Sequence, residues 1–154
     1  MQNFLKENFL SVWHHFLFFE INRSREAINA WGSANGYLVF QVICWHYVLV
    51  LTAGTDVKLR DEAVQLWYKF SKHGFETNTV LTYTLISQLT SLSIETVRRQ
   101  VRKLEKCNWV SYSKKSGVKL QPSEENNKFL ADIFNAREVK NLANFLDIIE
   151  KRKK

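Results

Sequence analysis

Proline is almost missing from this chain. Pro122 is the only one in 154 residues, and there are only five glycines. A β-sandwich or barrel is built on many tight turns that draw on both residues, so their scarcity argues against an all-β fold and for a mostly helical one. Cysteine is nearly as scarce. Cys44 and Cys107 stand alone with no Cys-x-x-Cys partner, which argues against a disulfide scaffold and for a reduced, cytoplasmic setting. Catalytic signatures are missing too: there is no Gly-x-Ser-x-Gly, His-Glu-x-x-His, P-loop or Gly-x-Gly-x-x-Gly string. The acids that are present scatter along amphipathic stretches as solvated faces do, so no enzyme is expected. Met1–Leu10 lacks the basic start and small-residue cleavage site of a secretory signal.

Metal ligands are few and badly placed. His14 and His15 are adjacent, and adjacent helical residues point about 100° apart, so one ion is hard to share. His46 with Cys44 has the same weakness. His73 precedes Gly74, where a helix would end and a cationic side chain is favourable anyway. No metal and no cofactor is expected.

One long apolar run is present. Tyr37–Ala53 reads YLVFQVICWHYVLVLTA, without a formal charge. A membrane span needs about 20 apolar residues; this run is shorter and is interrupted by Gln41 and His46. A fully buried helix, in a helical core or a dimer interface, is the expectation, with no membrane partner.

Charge is uneven. Residues 1–73 carry seven Lys and Arg against six Asp and Glu, whereas residues 74–154 carry fifteen against nine. The cationic excess of the second half suits a polyanion partner there, or a solubilising surface.

Apolar spacing predicts amphipathic helices over 2–22, 37–53 and 57–72, with Ser24–Gly36 (containing WGSANG) as punctuation and Thr55–Asp56 starting the third. A short helix is predicted over 79–90 with Leu81, Leu85, Ile86 and Leu89 inward. Ser93 is a good N-cap for a helix to about Cys107, with Glu95 in its first turn and Asn108 able to take the left-handed conformation of a helix stop. Trp109–Tyr112 and Val118–Leu120 are β-prone runs joined by SKKSG, Ser113–Gly117, which reads as a hairpin turn. Pro122–Ser123 then opens a helical tail with Phe129, Leu130, Ile133 and Phe134 as one stripe. Val139, Leu142, Phe145, Leu146 and Ile149 form a second, and Asn135–Ala136 is the expected break between them. The expected organisation is a helical region at 1–75, a helix-turn-helix with a hairpin at 76–121, and a helical tail at 122–154.

The middle segment carries the chemistry. Val101 and Leu104 fall within about 40° of Val97 on one face of the second helix, leaving Arg98, Arg99 and Arg102 toward solvent. Arginine can bond guanine through two hydrogen bonds or bind phosphate. The turn offers Thr90, Ser91 and Ser93 for phosphate, and the hairpin adds Lys114, Lys115 and Lys119.

The string ISQLTSLSIETVRRQVRKLEKCNWV, Ile86 to Val110, resembles bacterial winged helix-turn-helix transcription regulators of the broad GntR, MarR and IclR type. Their pattern is a small helix, then T-G-hydrophobic-S/P-x-x-T-V-x-R, then L-x-x-x-G-hydrophobic-hydrophobic. Thr90, Leu92, Ser93, Thr96, Val97, Arg99 and Leu104 sit in register; Ser91 and Asn108 stand where the pattern has glycine. The resemblance covers about a third of the chain. It implies a mainly α fold with a small β-hairpin, a winged helix-turn-helix flanked by N- and C-terminal helices. It also implies sequence-specific double-stranded DNA binding as a homodimer, with the helix at about 93–107 in the major groove and the wing at about 109–121 on the backbone. The competing expectation is a winged helix that binds protein and no DNA. The many aromatics of the first fifty residues fit a core plus a dimer interface, or a pocket for an apolar small-molecule effector with Gln41 and His46 as its polar groups.

Overall fold

The computed structural model describes residues 1–54, 56–73 and 79–153. The chain is mainly helical with one small antiparallel hairpin, in the order α1 (Gln2–Glu7), α2 (Phe9–Trp31), α3 (Ala34–Gly54), α4 (Arg60–His73), α5 (Tyr83–Thr90), α6 (Ile94–Lys106), β1 (Val110–Ser113), β2 (Gly117–Leu120), α7 (Glu124–Lys128), a π-helical segment (Phe129–Phe134) and α8 (Asn135–Arg152).

The punctuation expected at Ser24–Gly36 shrinks to two residues. Burial of Ala27 and Trp31, one turn apart, draws α2 on to Trp31. Gly32 then stops it at φ 76°, with its N–H on the Ile28 carbonyl at 2.7 Å, the left-handed C-cap that glycine permits. Ser33 Oγ accepts from the Gly36 N–H at 3.0 Å and starts α3. Gly36 is therefore not a breaker. A Cβ there would lie 2.7 Å from the Trp31 carbonyl oxygen and 3.3 Å from Gln100 Oε1, so its lack of a side chain lets α3 approach α2 and α6 closely.

Within one chain, the apolar run inside α3 is buried along one face, so the helical core alone does not supply the full burial expected of a core or a dimer interface. Val39, Phe40, Ile43 and Tyr47 form its core face, while Trp45, Val48 and Leu49 are about half exposed. Ala34–Ala53 has the length and apolarity to cross a membrane, but its inner face packs on α2, α5, α6 and β2. α4 begins at Arg60, later than expected, because the 56–59 stretch is not helical; Thr55 and Gly74 lie outside the described residues.

α5 begins at Tyr83 rather than at 79, capped by Thr82, whose hydroxyl accepts from the Leu85 N–H at 3.1 Å; residues 76–78, the start of the expected middle segment, lie outside the described ones. Leu81 and Ile86 are buried as expected, but Leu85 and Leu89 are 37% and 46% exposed. A helix of eight residues can turn only one narrow stripe inward, and Ile86 with Thr90 takes it. α6 follows the sequence closely: Ser93 accepts from the Thr96 N–H, Val97, Val101 and Leu104 are buried, and Asn108 stops the chain at φ 57°.

The hairpin pairs Val110 with Leu120 and Ser113 with Gly117. Val118 N–H reaches sideways to the Leu81 carbonyl at 2.9 Å, which fastens β2 to the stretch before α5. Gly117 makes this approach possible: its φ is +67°, and a Cβ would lie 2.5 Å from Leu81 O. In the tail, Ser123 caps α7 by accepting from the Asn126 N–H. The break expected at Asn135–Ala136 is absent; the helix widens into the π segment instead and runs straight into α8. Arg60 Nη2 donates to the Ala131 carbonyl within that segment at 2.7 Å, which satisfies a backbone group in the altered ladder.

One core joins these elements, from Ala27 and Trp31 through Phe40, Ile86, Val101 and Trp109 to Phe134. Away from it, α2 and α8 lie antiparallel as an arm, with Phe16 and Phe19 on Phe145, Arg23 paired to Glu138 at 2.8 Å, and Lys153 over the Phe4 ring.

Two glycine exchanges should move stability in opposite directions. Gly117→Ala should cost at least about 2 kcal/mol, since a left-handed residue with a side chain costs about 1–2 and the contact with Leu81 O adds to it. Ser91, which sits at φ 57°, should gain about 0.5–1 kcal/mol as Ser91→Gly, the relief exceeding glycine's extra chain entropy. Urea midpoints read both; an unaffected Gly117→Ala would contradict the hairpin contact.

Candidate functional site

The side chains of interest stand on α5, α6 and the hairpin. The turn between the helices is closed by its own hydroxyls. Ser87 Oγ donates to the Leu92 carbonyl at 2.6 Å. Thr90 Oγ1 donates to the Ile86 carbonyl at 2.7 Å and accepts from the Leu92 N–H at 3.3 Å. Thr90 is 8% exposed, so its expected role toward phosphate does not match its place: the hydroxyl is turned inward to hold the turn. Ser91 is exposed in the left-handed conformation that the turn requires. Ser93 and Thr96 bond to each other through their hydroxyls at 3.0 Å while Ser93 caps α6; Ser93 is exposed and Thr96 half-buried.

The rotation of α6 is set from behind. Beyond the three apolar residues, Gln100 is also buried, and Ser33 Oγ donates to its Oε1 at 3.4 Å. Arg99 and Arg102 are exposed on the opposite face. Arg98 is not free in the way the sequence suggests. It donates to Glu95 at 3.0 Å and lies over the Tyr83 ring at 5.9 Å. An ion pair this exposed contributes about 0–1 kcal/mol, so a stronger anion can displace Glu95. Lys103 and Lys106 are exposed on the same helix. Counting the outward positions of α6 at 100° per residue would have found them, because Lys106 lies within about 40° of both Arg99 and Arg102.

The hairpin is braced against these helices. Tyr112 stacks on Tyr83 with centroids 4.5 Å apart, and its N–H donates to Glu105 Oε1 at 3.1 Å. Burial and the neighbouring Tyr112 raise the Tyr83 phenol above its ordinary pKa. Lys114 and Lys115 stand exposed in the turn and Lys119 on the exposed side of β2. Asn126 of α7 fixes the far end by donating to the Cys107 and Asn108 carbonyls at 2.7 and 3.0 Å.

The site thus holds a fixed helix with an outward row of cations and a braced turn with three lysines. Among the described residues no three His, Cys, Asp or Glu side chains come together as metal ligands. The His14 and His15 rings lie with centroids 3.8 Å apart, nearer than their positions on the helix suggest. His46 is partly buried, which lowers its pKa and keeps it neutral. No protein-family model, no characterised protein and no solved structure matches this chain.

Thr90→Val keeps the shape of Thr90 and removes its hydroxyl, leaving the Leu92 N–H without its acceptor. It should lower unfolding free energy by about 1 kcal/mol without changing the affinity for a polyanion such as heparin. A parent-like stability with weakened heparin binding would return Thr90 to the surface role.

Proposed function

We propose that the chain is a sequence-specific double-stranded DNA-binding protein of the winged helix-turn-helix kind, acting as a homodimeric transcription regulator. The observation that carries this reading is the division of α6: apolar side chains and Gln100 behind, Arg99 and Arg102 exposed in front with Arg98 beside them. A helix read by a major groove needs this division, with its N-terminal half free to approach base edges. The lysines of the hairpin turn add point charges suited to phosphate, which orient a duplex without reading it. The resemblance of Ile86–Val110 to bacterial regulators supports the same reading.

A second reading has its own observation. Leu85 and Leu89 of α5, with Ile94 at the start of α6, are exposed apolar side chains at 37%, 46% and 43%. A helix-turn-helix used as a scaffold for another protein would present such a face. The two readings separate on one titration. Duplex binding should weaken steeply with salt, log K falling by about 0.9 per phosphate contacted. Arg99→Ala and Arg102→Ala should lower specific binding and relax sequence preference, by about 1–3 kcal/mol of discrimination for a bidentate contact. Lys115→Ala should weaken matched and scrambled duplexes alike and reduce the salt slope by about one. Salt-insensitive or absent duplex binding would favour the protein-binding alternative.

The arm supports the dimer. Phe9, Leu10, Trp13, Leu17, Phe18 and Ile21 of α2 are exposed, and so are Val139, Leu142 and Leu146 of α8. Contiguous apolar surface along two antiparallel helices marks an interface, and a second copy offers the same surface in return. Light scattering should give twice the 18.2 kDa of one chain at micromolar concentration. Leu17→Asp with Leu142→Asp should give the single-chain mass and lose the preference for palindromic sites; a single-chain mass for the parent removes the dimer.

A further inference from the structure

A cavity of about 630 Å³ lies between α3, α4, the π segment and the start of α8. Small-molecule sites run to about 300–1,000 Å³. Its walls are aromatic and aliphatic: Trp45 and Val48 from α3, Val64 and Trp67 from α4, Phe134 from the π segment. α4 is held across this space by its polar edge. Arg60 donates to Asn135 Oδ1 at 3.1 Å and to the Ala131 carbonyl at 2.7 Å. Tyr68 donates to Asp132 at 2.9 Å, Trp67 donates to Asn127, and Asn127 donates to Ser71 Oγ at 2.6 Å. Hydrogen bonds thus tie α4 to the C-terminal helices, while Ala63, Val64, Leu66 and Trp67 line the space beside it.

Water fills such a space badly. A water against these walls needs polar partners, two to four of them. The lining supplies few of them, and two of its charged groups, Arg23 and Glu138, are spent on each other at 2.8 Å. An apolar occupant satisfies the walls better. The remaining charge gives its polarity. Arg60 meets neutral acceptors except for Asp61, 3.5 Å away with a 91% exposed carboxylate. With Arg23 and Glu138 cancelling, the lining is left with a net positive group at the end where α4 begins.

We propose that this cavity binds a hydrophobic organic anion, rings against Trp45, Trp67 and Phe134 and its acidic group at Arg60. The site is distinct from the α5, α6 and hairpin surface and stands or falls without it. Of the two polar groups expected in an aromatic pocket, Gln41 lines this cavity and His46 does not; the cationic anchor is Arg60.

The test uses the full chain and two probes with the same rings, the anionic 1-anilinonaphthalene-8-sulfonate and the neutral N-phenyl-1-naphthylamine. Both should bind saturably, one per chain. Val64→Trp, or Leu66→Trp from the same helix, should abolish binding of both by filling the cavity. Arg60→Gln should weaken the sulfonate by at least about tenfold, the worth of a charge-assisted hydrogen bond, and leave the neutral probe within about twofold; Arg60→Lys should restore the sulfonate preference. Uptake that survives both tryptophan variants places the probes outside the cavity and overturns the proposal. Equal loss of both probes in Arg60→Gln overturns the anionic class, and that contrast alone decides the question if the tryptophan variants fail to fold.

Discussion

The stacking of aromatic rings around Trp31 is the interaction on which the other parts of the molecule depend. Its indole lies on Phe40 with centroids 4.6 Å apart, meets Phe134 edge-on at 4.8 Å and Trp109 at 5.7 Å. Those four residues come from the end of α2, from α3, from the π segment and from the turn after α6. One contact set therefore fixes the long N-terminal helix, the tail and the helix-turn-helix relative to one another, with both cysteines free. Removing a buried aromatic of this kind costs about 3–5 kcal/mol, a large share of the roughly 5–15 that holds a domain together. The burial also outweighs a defect, since Trp31 Nε1 and the Tyr37 hydroxyl have no hydrogen-bond partner among the described residues. Burial raises the Tyr37 pKa to about 12, so that hydroxyl is not relieved by ionising.

The presentation of α6 follows from that frame. α3 meets α6 where Gly36 leaves room for Gln100 and where Ser33 donates to it. This polar contact sits inside an otherwise apolar seam, and such a contact favours one rotation of the helix over its neighbours. The arginines then face outward whatever their own preferences are. In the proposed reading, the same rigidity serves recognition, because a guanidinium on a fixed helix loses less freedom on meeting a base edge than one on a mobile loop.

Besides the exposed side chains of α5 and α6, two apolar features remain outside the core, and their shapes separate their uses. The arm is long, and its exposed apolar side chains are spread along two helices. The space under α4 is concave, rimmed by hydrogen bonds and left with a cation, which suits a compact molecule. α3 is the floor of that space on one side and the support of α6 on the other. An occupant and the proposed DNA surface therefore rest on one helix.

The residues of α6 and the hairpin were legible in the sequence because their determinants are local. Ser93 caps, Asn108 turns left-handed, and the spacing of Val97, Val101 and Leu104 sets a face; each acts over about one helical turn. Leu85 and Leu89 have helical spacing too, yet they are exposed, because periodicity states that a stripe exists and not whether a neighbour covers it. Thr90 reads as a surface hydroxyl until the turn closes over it. The glycines and serines of Ser24–Gly36 read as breakers, but burial of Ala27 and Trp31 carried the helix through, and Gly36 proved to be a place where two helices touch. The sequence by itself determined which short stretches are helix, turn and hairpin, and which side of α6 is charged. The tertiary structure alone decided how far α2 runs, which half of α3 is covered, where the π segment falls and what space is left beneath α4. Capping and φ preference act between near neighbours, whereas burial depends on residues a hundred positions apart meeting at Trp31.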